Sequence, residues 1–215
     1  MKGSSSAKEN ILKKVRQALA NPVPVPFLQS EGATSVFQPE TKELELEFAE
    51  NFTGLLGKFS YCSDDTELQE QLLQLLNTKK ITSVYCREPQ LSHPLTTAGF
   101  TGINISSLAD CDAGLTSCEL LVARTGSIIM SSAQLSGRTV SVYAPIHICI
   151  AYTSQLVYDI KEGLQILLKK YSNKIPSLIT MASGPSRTAD IEKTLVVGVH
   201  GPKEVYVFLV EGNIS

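Results

Sequence analysis

The sequence predicts a layered α/β fold: an open sheet with helices on both faces, preceded by a separate N-terminal helix. Three observations predict it. Between Thr66 and Cys86, helical spacing of leucines gives way to a short apolar run, the helix-then-strand rhythm of layered α/β proteins. The later apolar runs His147–Tyr152 and Val205–Val210 are continuous rather than alternating, as in strands covered on both faces. With 215 residues, 43% of them hydrophobic, the chain can bury one sizeable core, so length favours one main domain with an appendage.

The elements follow in order. From Lys8 to Ala20, Ile11, Leu12, Val15, Ala18 and Leu19 share one helical face. Asn21-Pro22-Val23-Pro24-Val25-Pro26 stops that helix and continues as a stiff, extended connector. Residues 1–27 therefore read as a helix with its spacer, and residues 28–215 as the main domain. The helix's apolar stripe must dock on its own body or on another subunit, which gives a route to an oligomer. Leu44, Phe48, Phe52, Leu55 and Leu56 mark a second helix within Thr41–Leu56. A third spans Thr66–Asn77, with Asp64 and Glu67 at capping-box spacing. Ile81–Cys86 reads as a strand.

The middle of the chain is richer in strands. Leu120–Ala123 and Ser127–Met130 flank Arg124-Thr125-Gly126, giving a tight hairpin or one kinked strand. Thr139–Tyr143 reads as a further strand after a Gly137-Arg138 turn, and His147–Tyr152 as another after Pro145. Leu156, Ile160, Leu164, Leu167, Leu168 and Tyr171 mark an amphipathic helix. Ser177–Met181 and Val205–Val210 supply the last strands.

Composition excludes several functions. The 19 basic and 21 acidic residues nearly balance, which argues against nucleic acid or an anionic membrane as partner. No apolar stretch is long enough for a membrane span, and the N-terminus lacks a signal-peptide core, so a cytoplasmic location is expected. The five cysteines are odd in number and have no C-x-x-C spacing, which argues against disulfides, zinc knuckles and iron–sulfur ligation. Cys62, Cys86 and Cys149 lie in apolar runs and read as buried thiols. Cys111 and Cys118 have more polar neighbours and are the two candidates for reactivity, although nothing nearby in sequence activates them. The usual dinucleotide, Walker, nucleophile-elbow and zinc-protease motifs are absent.

The densest chemistry lies in Ser183-Gly184-Pro185-Ser186-Arg187-Thr188-Ala189-Asp190-Ile191-Glu192 and in His200-Gly201-Pro202. The first run directly follows an apolar strand, and open α/β sheets bind ligands beyond the carboxyl ends of their strands. Gly184 permits close backbone approach, and Ser186 or Thr188 can cap a short helix from Asp190 to Leu195 whose free N–H groups attract an anion. Arg187 can grip a carboxylate or phosphate bidentately. The competing reading is an ordinary capped helix with Arg187 paired to Asp190 or Glu192. His200 is the candidate acid–base group or ligand anchor, with Asp190 and Glu192 as the nearby carboxylates. Thr125-Gly126-Ser127 is the second candidate loop, which without support elsewhere is an ordinary hairpin turn. His147 reads as a structural histidine, and with His200 and a carboxylate it has no compact metal spacing, so no metal is expected.

The 183–192 run, together with Leu195-Val196-Val197-Gly198-Val199-His200-Gly201-Pro202, resembles the C-terminal signature of the LUD-domain family, whose members include lactate-utilisation proteins. Thr125-Gly126-Ser127, Ala144-Pro145-Ile146-His147 and the N-terminal helix extend the resemblance over nearly the whole chain. It implies a fold like the ribose-5-phosphate isomerase, glucosamine-phosphate deaminase and CoA-transferase group. It also implies work in a three-protein system that oxidises L-lactate to pyruvate, with the iron–sulfur clusters on partner proteins and no cofactor in this chain. Family members often carry an acidic residue where this chain has Arg124. That departure speaks against a covalent carboxylate mechanism there and for an anionic ligand, if Arg124 faces the site.

Three functions are then expected to compete. In the first, the chain is a subunit of the lactate-oxidising system that holds a small carboxylate or other anion. Arg187, Ser186, Gly184 and Thr188 would bind, with Thr125, Gly126 and Ser127 beside them and Arg124, His147 and Gly201 in support. In the second it is a free-standing isomerase or CoA-transferase-like enzyme acting on a phosphorylated or acyl-CoA substrate. In the third it is a non-catalytic scaffold whose N-terminal helix docks partners. Kinship of fold does not choose among them.

Overall fold

The computed structural model describes residues 4–20, 40, 42–104, 106–172, 174–189 and 195–213. The chain divides into two units, residues 1–39 and 40–215. The first contains α1 (Ser4–Ala20), which starts one turn earlier than its apolar spacing requires and exposes Ile11, Leu12 and Val15. The proline connector and the expected boundary at residues 27 and 28 lie outside the described residues.

In the second unit α2 (Leu44–Gly54) leads through Leu55–Gly57 into β1 (Lys58–Cys62). Asp64 then caps α3 (Asp65–Thr78), accepting the Glu67 N–H at 2.8 Å. The return arm of the expected capping box lands one residue early, because Glu67 Oε2 takes the Ser63 N–H at 2.7 Å. The strand expected over Ile81–Cys86 is confined to β2 (Val84–Tyr85). A helix that periodicity did not announce follows, α4 (Pro89–Thr97), with Pro94 inside it. Next come β3 (Ile103–Asn104), β4 (Ala113–Ser117), β5 (Leu120–Val122) and β6 (Ser127–Ser131).

The segment read as a strand from Thr139 is instead α5 (Val140–Tyr143), a single helical turn. Its close approach to β4 explains the difference. A Cβ on Gly114 would lie 2.6 Å from Val140 Cγ1 and 2.9 Å from Ala144 Cβ, so the turn occupies space that only glycine leaves open. β7 (Ile146–Tyr152) follows. The helix expected from Leu156 begins later: Leu156–Val157 forms β8, and Asp159 caps α6 (Ile160–Tyr171). β9 (Ile179–Ala182), β10 (Arg187–Ala189), β11 (Leu195–Val197) and β12 (Glu204–Val210) complete the chain.

Six strands form a wholly parallel sheet in the order β1-β12-β7-β4-β2-β3. A second sheet has the order β8-β5-β6-β9, and β10 pairs antiparallel with β11. Alternate residues of β7 serve opposite faces. Ile148 and Ile150 pack with Leu68, Leu72 and Leu76 of α3 and with Leu91 and Leu95 of α4. Cys149 and Ala151 pack with Phe48 and Phe52 of α2 and with Leu121, Ile128 and Met130 of the second sheet. The parallel sheet thus has helices on both faces, as the sequence predicts, with the second sheet as an added layer. α6 covers that sheet's outer side, where Leu167 meets Leu120, Val122 and Ile129.

Glu119 fastens this outer layer. Its buried carboxylate accepts Ser131 Oγ and Tyr171 OH at 2.6 Å and Lys170 Nζ at 2.7 Å. Burial pushes the carboxyl up, but hydrogen bonds from Lys170, Ser131 and Tyr171 outweigh it and hold the group below its ordinary value. All five cysteines are buried. Burial raises the Cys62 and Cys86 thiols to about 11 and also raises Cys111. A hydrogen bond with Cys149, together with burial, raises Cys118. Cys111 and Cys118, the two candidates for reactivity, are thus buried with their thiols raised like Cys62 and Cys86. Among the described residues no helix is long and apolar enough to cross a membrane.

Candidate functional site

Two of the loops singled out by sequence come together on the C-terminal half of α2. In the first, Ala123–Thr125 makes a single 3-10 turn and Gly126 takes a left-handed conformation, φ +54°. Asn51 Nδ2 donates to the carbonyls of Ala123 and Arg124 at 3.0 and 3.2 Å. A Cβ on Gly126 would sit 2.5 Å from the Phe52 backbone nitrogen. In the second loop Gly184, φ +85°, lies against the next turn, where a Cβ would be 2.5 Å from the Leu55 carbonyl oxygen. Both positions require glycine for the same reason: backbone meets backbone at a positive φ.

The pairing of β6 with β9 then sets Ser127 beside Ser183. Their hydroxyl oxygens are 2.6 Å apart, and Ser127 Oγ lies 2.8 Å from Thr125 Oγ1. Ser127 is buried, whereas Thr125 and Ser183 are half-buried, so the hydroxyl chain leads from the interior towards the surface. Farther along the second loop, Ser186 N–H donates to the Pro202 carbonyl and the Gly198 N–H donates to the Ser186 carbonyl, each at 2.9 Å. A Cβ on Gly201 would lie 2.9 Å from Ser186 Cβ. The 183–186 loop therefore touches Thr125–Ser127 at one end and Gly198–Pro202 at the other. Arg187 and His200 are exposed beside it.

The geometry corrects the expected place of the second loop. β9 belongs to the second sheet, antiparallel to β6, so the loop after it does not stand at the carboxyl ends of the parallel strands. Gly201-Pro202 leads instead into the amino end of β12, and Lys203 N–H donates to the Pro145 carbonyl just before β7. The anion-attracting helix expected over Asp190–Leu195 falls almost wholly outside the described residues; on either side of that stretch β10 and β11 pair antiparallel. Arg187 lies opposite Val197, Thr188 opposite Val196 and Ala189 opposite Leu195. Asp190 and Glu192 lie outside the described residues.

Arg124 and His147, expected in support, are held elsewhere. Arg124 Nε donates to Asp159 Oδ2 at 2.6 Å, which compensates its charge at the start of α6. His147 is fully buried on the α5 side of β7, register-aligned with Gly114. Its Nε2 lies 2.8 Å from Thr116 Oγ1, and its Nδ1 has no hydrogen-bond partner. Burial lowers its pKa to about 4, so the ring is neutral at pH 7. Sequence reading named Ser183 only as part of its run. Its link to Ser127 depends on a pairing across 56 residues that no local pattern carries.

The joined loops thus carry the linked hydroxyls of Thr125, Ser127 and Ser183 and the exposed side chains of Arg187 and His200. Such a set can hold a small polar anion and exchange protons with it.

Comparison with known proteins agrees with this architecture. The family model for the LUD domain matches residues 101–210, which include both loops. Lactate utilization protein C of Bacillus subtilis is 35% identical over 109 residues, 50% of this chain and 45% of the relative. The protein of the same name from Deinococcus radiodurans is 34% identical over 124 residues, 57% of this chain and 52% of the relative. An uncharacterised protein of Neisseria meningitidis is 33% identical over 99 residues, 46% of this chain and 42% of the relative. The chain spans about half the length of the curated relatives it matches. A crystal structure of a DUF162-family protein from Deinococcus radiodurans superposes with a TM-score of 0.59 at 21% identity, covering 78% of this chain and 96% of the other. With the signature loops inside the matched region and the parallel-sheet architecture shared, the chain belongs to the LUD domain family.

Proposed function

We propose that this chain takes part in lactate utilisation as a subunit that holds a small 2-oxygenated carboxylate. The observation that carries the proposal is the 2.6 Å contact between Ser127 and Ser183, which joins two signature loops distant in sequence into one polar surface. Arg187 and Ser186 would take the carboxylate, and His200 would contact the 2-oxygen and exchange its proton. Relatives named lactate utilization protein C support the pathway.

Oxidation of L-lactate to pyruvate removes two electrons and two protons. In this reading the electrons pass to iron–sulfur centres on partner proteins, and the buried thiols of this chain take no part. The role of this chain is then recognition and proton handling, in the cytoplasm.

Arg187→Ala and His200→Ala test the assignment. Both residues are exposed, so the fold should tolerate the changes. Each is expected to lower lactate-dependent growth, or lactate oxidation by the assembled system, about tenfold or more, the worth of one lost charge-assisted hydrogen bond. Full activity in both variants would remove this site.

A further inference from the structure

The parallel sheet has a second opening that none of the signature loops enters. It is a cleft of about 300 Å³ between α3 and α4, over the carboxyl ends of β4 and β7. That volume is at the lower end for small-molecule sites, and the carboxyl edge of a parallel sheet is where open α/β folds bind ligands. Its walls are apolar: Leu68 and Leu72 come from α3, Leu91 and Leu95 from α4, and Ile150 of β7 forms the floor. The walls are also fixed in place, since Gln69 Nε2 of α3 donates to the Pro94 carbonyl of α4 at 2.7 Å.

Among the polar groups that line it, the only charged one is acidic. Asp65 stands at the mouth, where its Oδ1 accepts the Tyr152 hydroxyl at 3.1 Å. Behind Gln90 and Ser117 lies Glu88, 2% exposed, whose carboxylate accepts only neutral donors among its described partners. These are the Ser117 N–H at 3.2 and 3.3 Å and Gln90 Nε2 at 3.2 Å. Among the described residues no lysine, arginine or histidine lines the cleft, and the nearby Arg87 and His93 side chains are exposed outside it. An apolar slot with carboxylates at its mouth and behind its inner end repels anions and favours a positive charge or N–H donor on a hydrophobic body.

We propose that this cleft is a binding site for a small amine, an ammonium or N–H group carried on an apolar ring or chain. The site is separate from the loops that contain Ser127 and Ser183, and its ligand has the opposite charge to lactate. It would let a cationic or neutral molecule occupy the protein together with a carboxylate.

Three probes of nearly the same shape test it on the full chain: benzylamine, benzyl alcohol and benzoate, each titrated while backbone amide NMR shifts are followed. Benzylamine should shift residues of α3, α4 and the ends of β4 and β7, with a dissociation constant of the order of 1 mM as suits so small a probe. Benzoate should bind there at least tenfold more weakly, with benzyl alcohol between them. Gln90→Trp, at an exposed position on the rim, should block the cleft and weaken benzylamine at least tenfold while leaving the overall spectrum folded. Benzylamine shifts elsewhere, benzoate binding as tight as benzylamine, or indifference to Gln90→Trp would overturn the proposal. None of these results depends on whether the Arg187 and His200 loops bind lactate.

Discussion

Gly126→Ala is expected to destabilise the protein by about 3 kcal/mol. Two costs combine. A non-glycine residue at φ +54° costs about 1–2 kcal/mol, and forcing a methyl into filled space costs about 1–3 kcal/mol more. The filled space is the backbone of α2: the new Cβ would lie 2.5 Å from Phe52 N, 2.7 Å from Asn51 C and 2.8 Å from Phe52 Cα. A helix backbone cannot give way as a flexible side-chain tip can. Gly137→Ala is the internal control, because Gly137 also has a positive φ, +67°, but nothing within 4 Å of its Cβ position. It should cost only about 1 kcal/mol. Urea unfolding of both variants checks the contrast. Equal costs would mean that the Thr125–Ser127 loop is not seated on α2.

The second large effect is an acid-sensitive core. His147 is fully buried, and burial lowers its pKa from 6.5 to about 4. Between those values the unfolded chain binds a proton that the folded protein refuses. Stability therefore falls as pH drops from about 6.5 to 4 and stops changing on this group's account below that. The loss over the window is about 3 kcal/mol. Carboxylates titrate in the lower part of the same range, so the informative quantity is the difference from a variant without the imidazole. Replacing both partners, His147→Leu with Thr116→Val, keeps the site filled and leaves no hydroxyl unpaired. Wild type minus double variant should lose about 3 kcal/mol between pH 6.5 and 4. A difference that stays flat with pH would show that His147 is not held neutral in the core.

The contrast between these two residues illustrates which features were legible in the sequence. Features fixed by neighbours along the chain can be read there. Asp64 caps α3 because a cap needs only the three following residues. Gly126 could be expected to shape a turn between two apolar runs. The continuous apolar run of β7 announced a strand covered on both faces. Features fixed by distant backbone could not be read. Val140-Ser141-Val142-Tyr143 has strand-like chemistry, yet it folds as a helical turn because Gly114, far away in sequence, leaves a place for Val140. Arg187–Ala189 is a strand because Leu195–Val197 pairs with it. α4 escaped notice because its apolar face is thin and Pro94 interrupts it.

The site was legible in the same uneven way. The chemistry of its loops was evident, and so was their membership of one family signature. That Ser127 and Ser183 meet depends on β6 pairing with β9, and that Arg124 turns away depends on Asp159 at the head of α6. Both are tertiary facts. The loops lie near the amino end of β12, and the apolar cleft lies at the carboxyl ends of β4 and β7.

The central claim, that the two signature loops form one carboxylate site, is tested most directly by titrating the full chain with L-lactate and following backbone amide shifts. Coherent shifts are predicted for Thr125–Ser127, Ser183–Arg187 and Gly198–Gly201, and they should disappear in Arg187→Ala. Shifts confined to other parts of the protein, or shifts unchanged by that substitution, would contradict it.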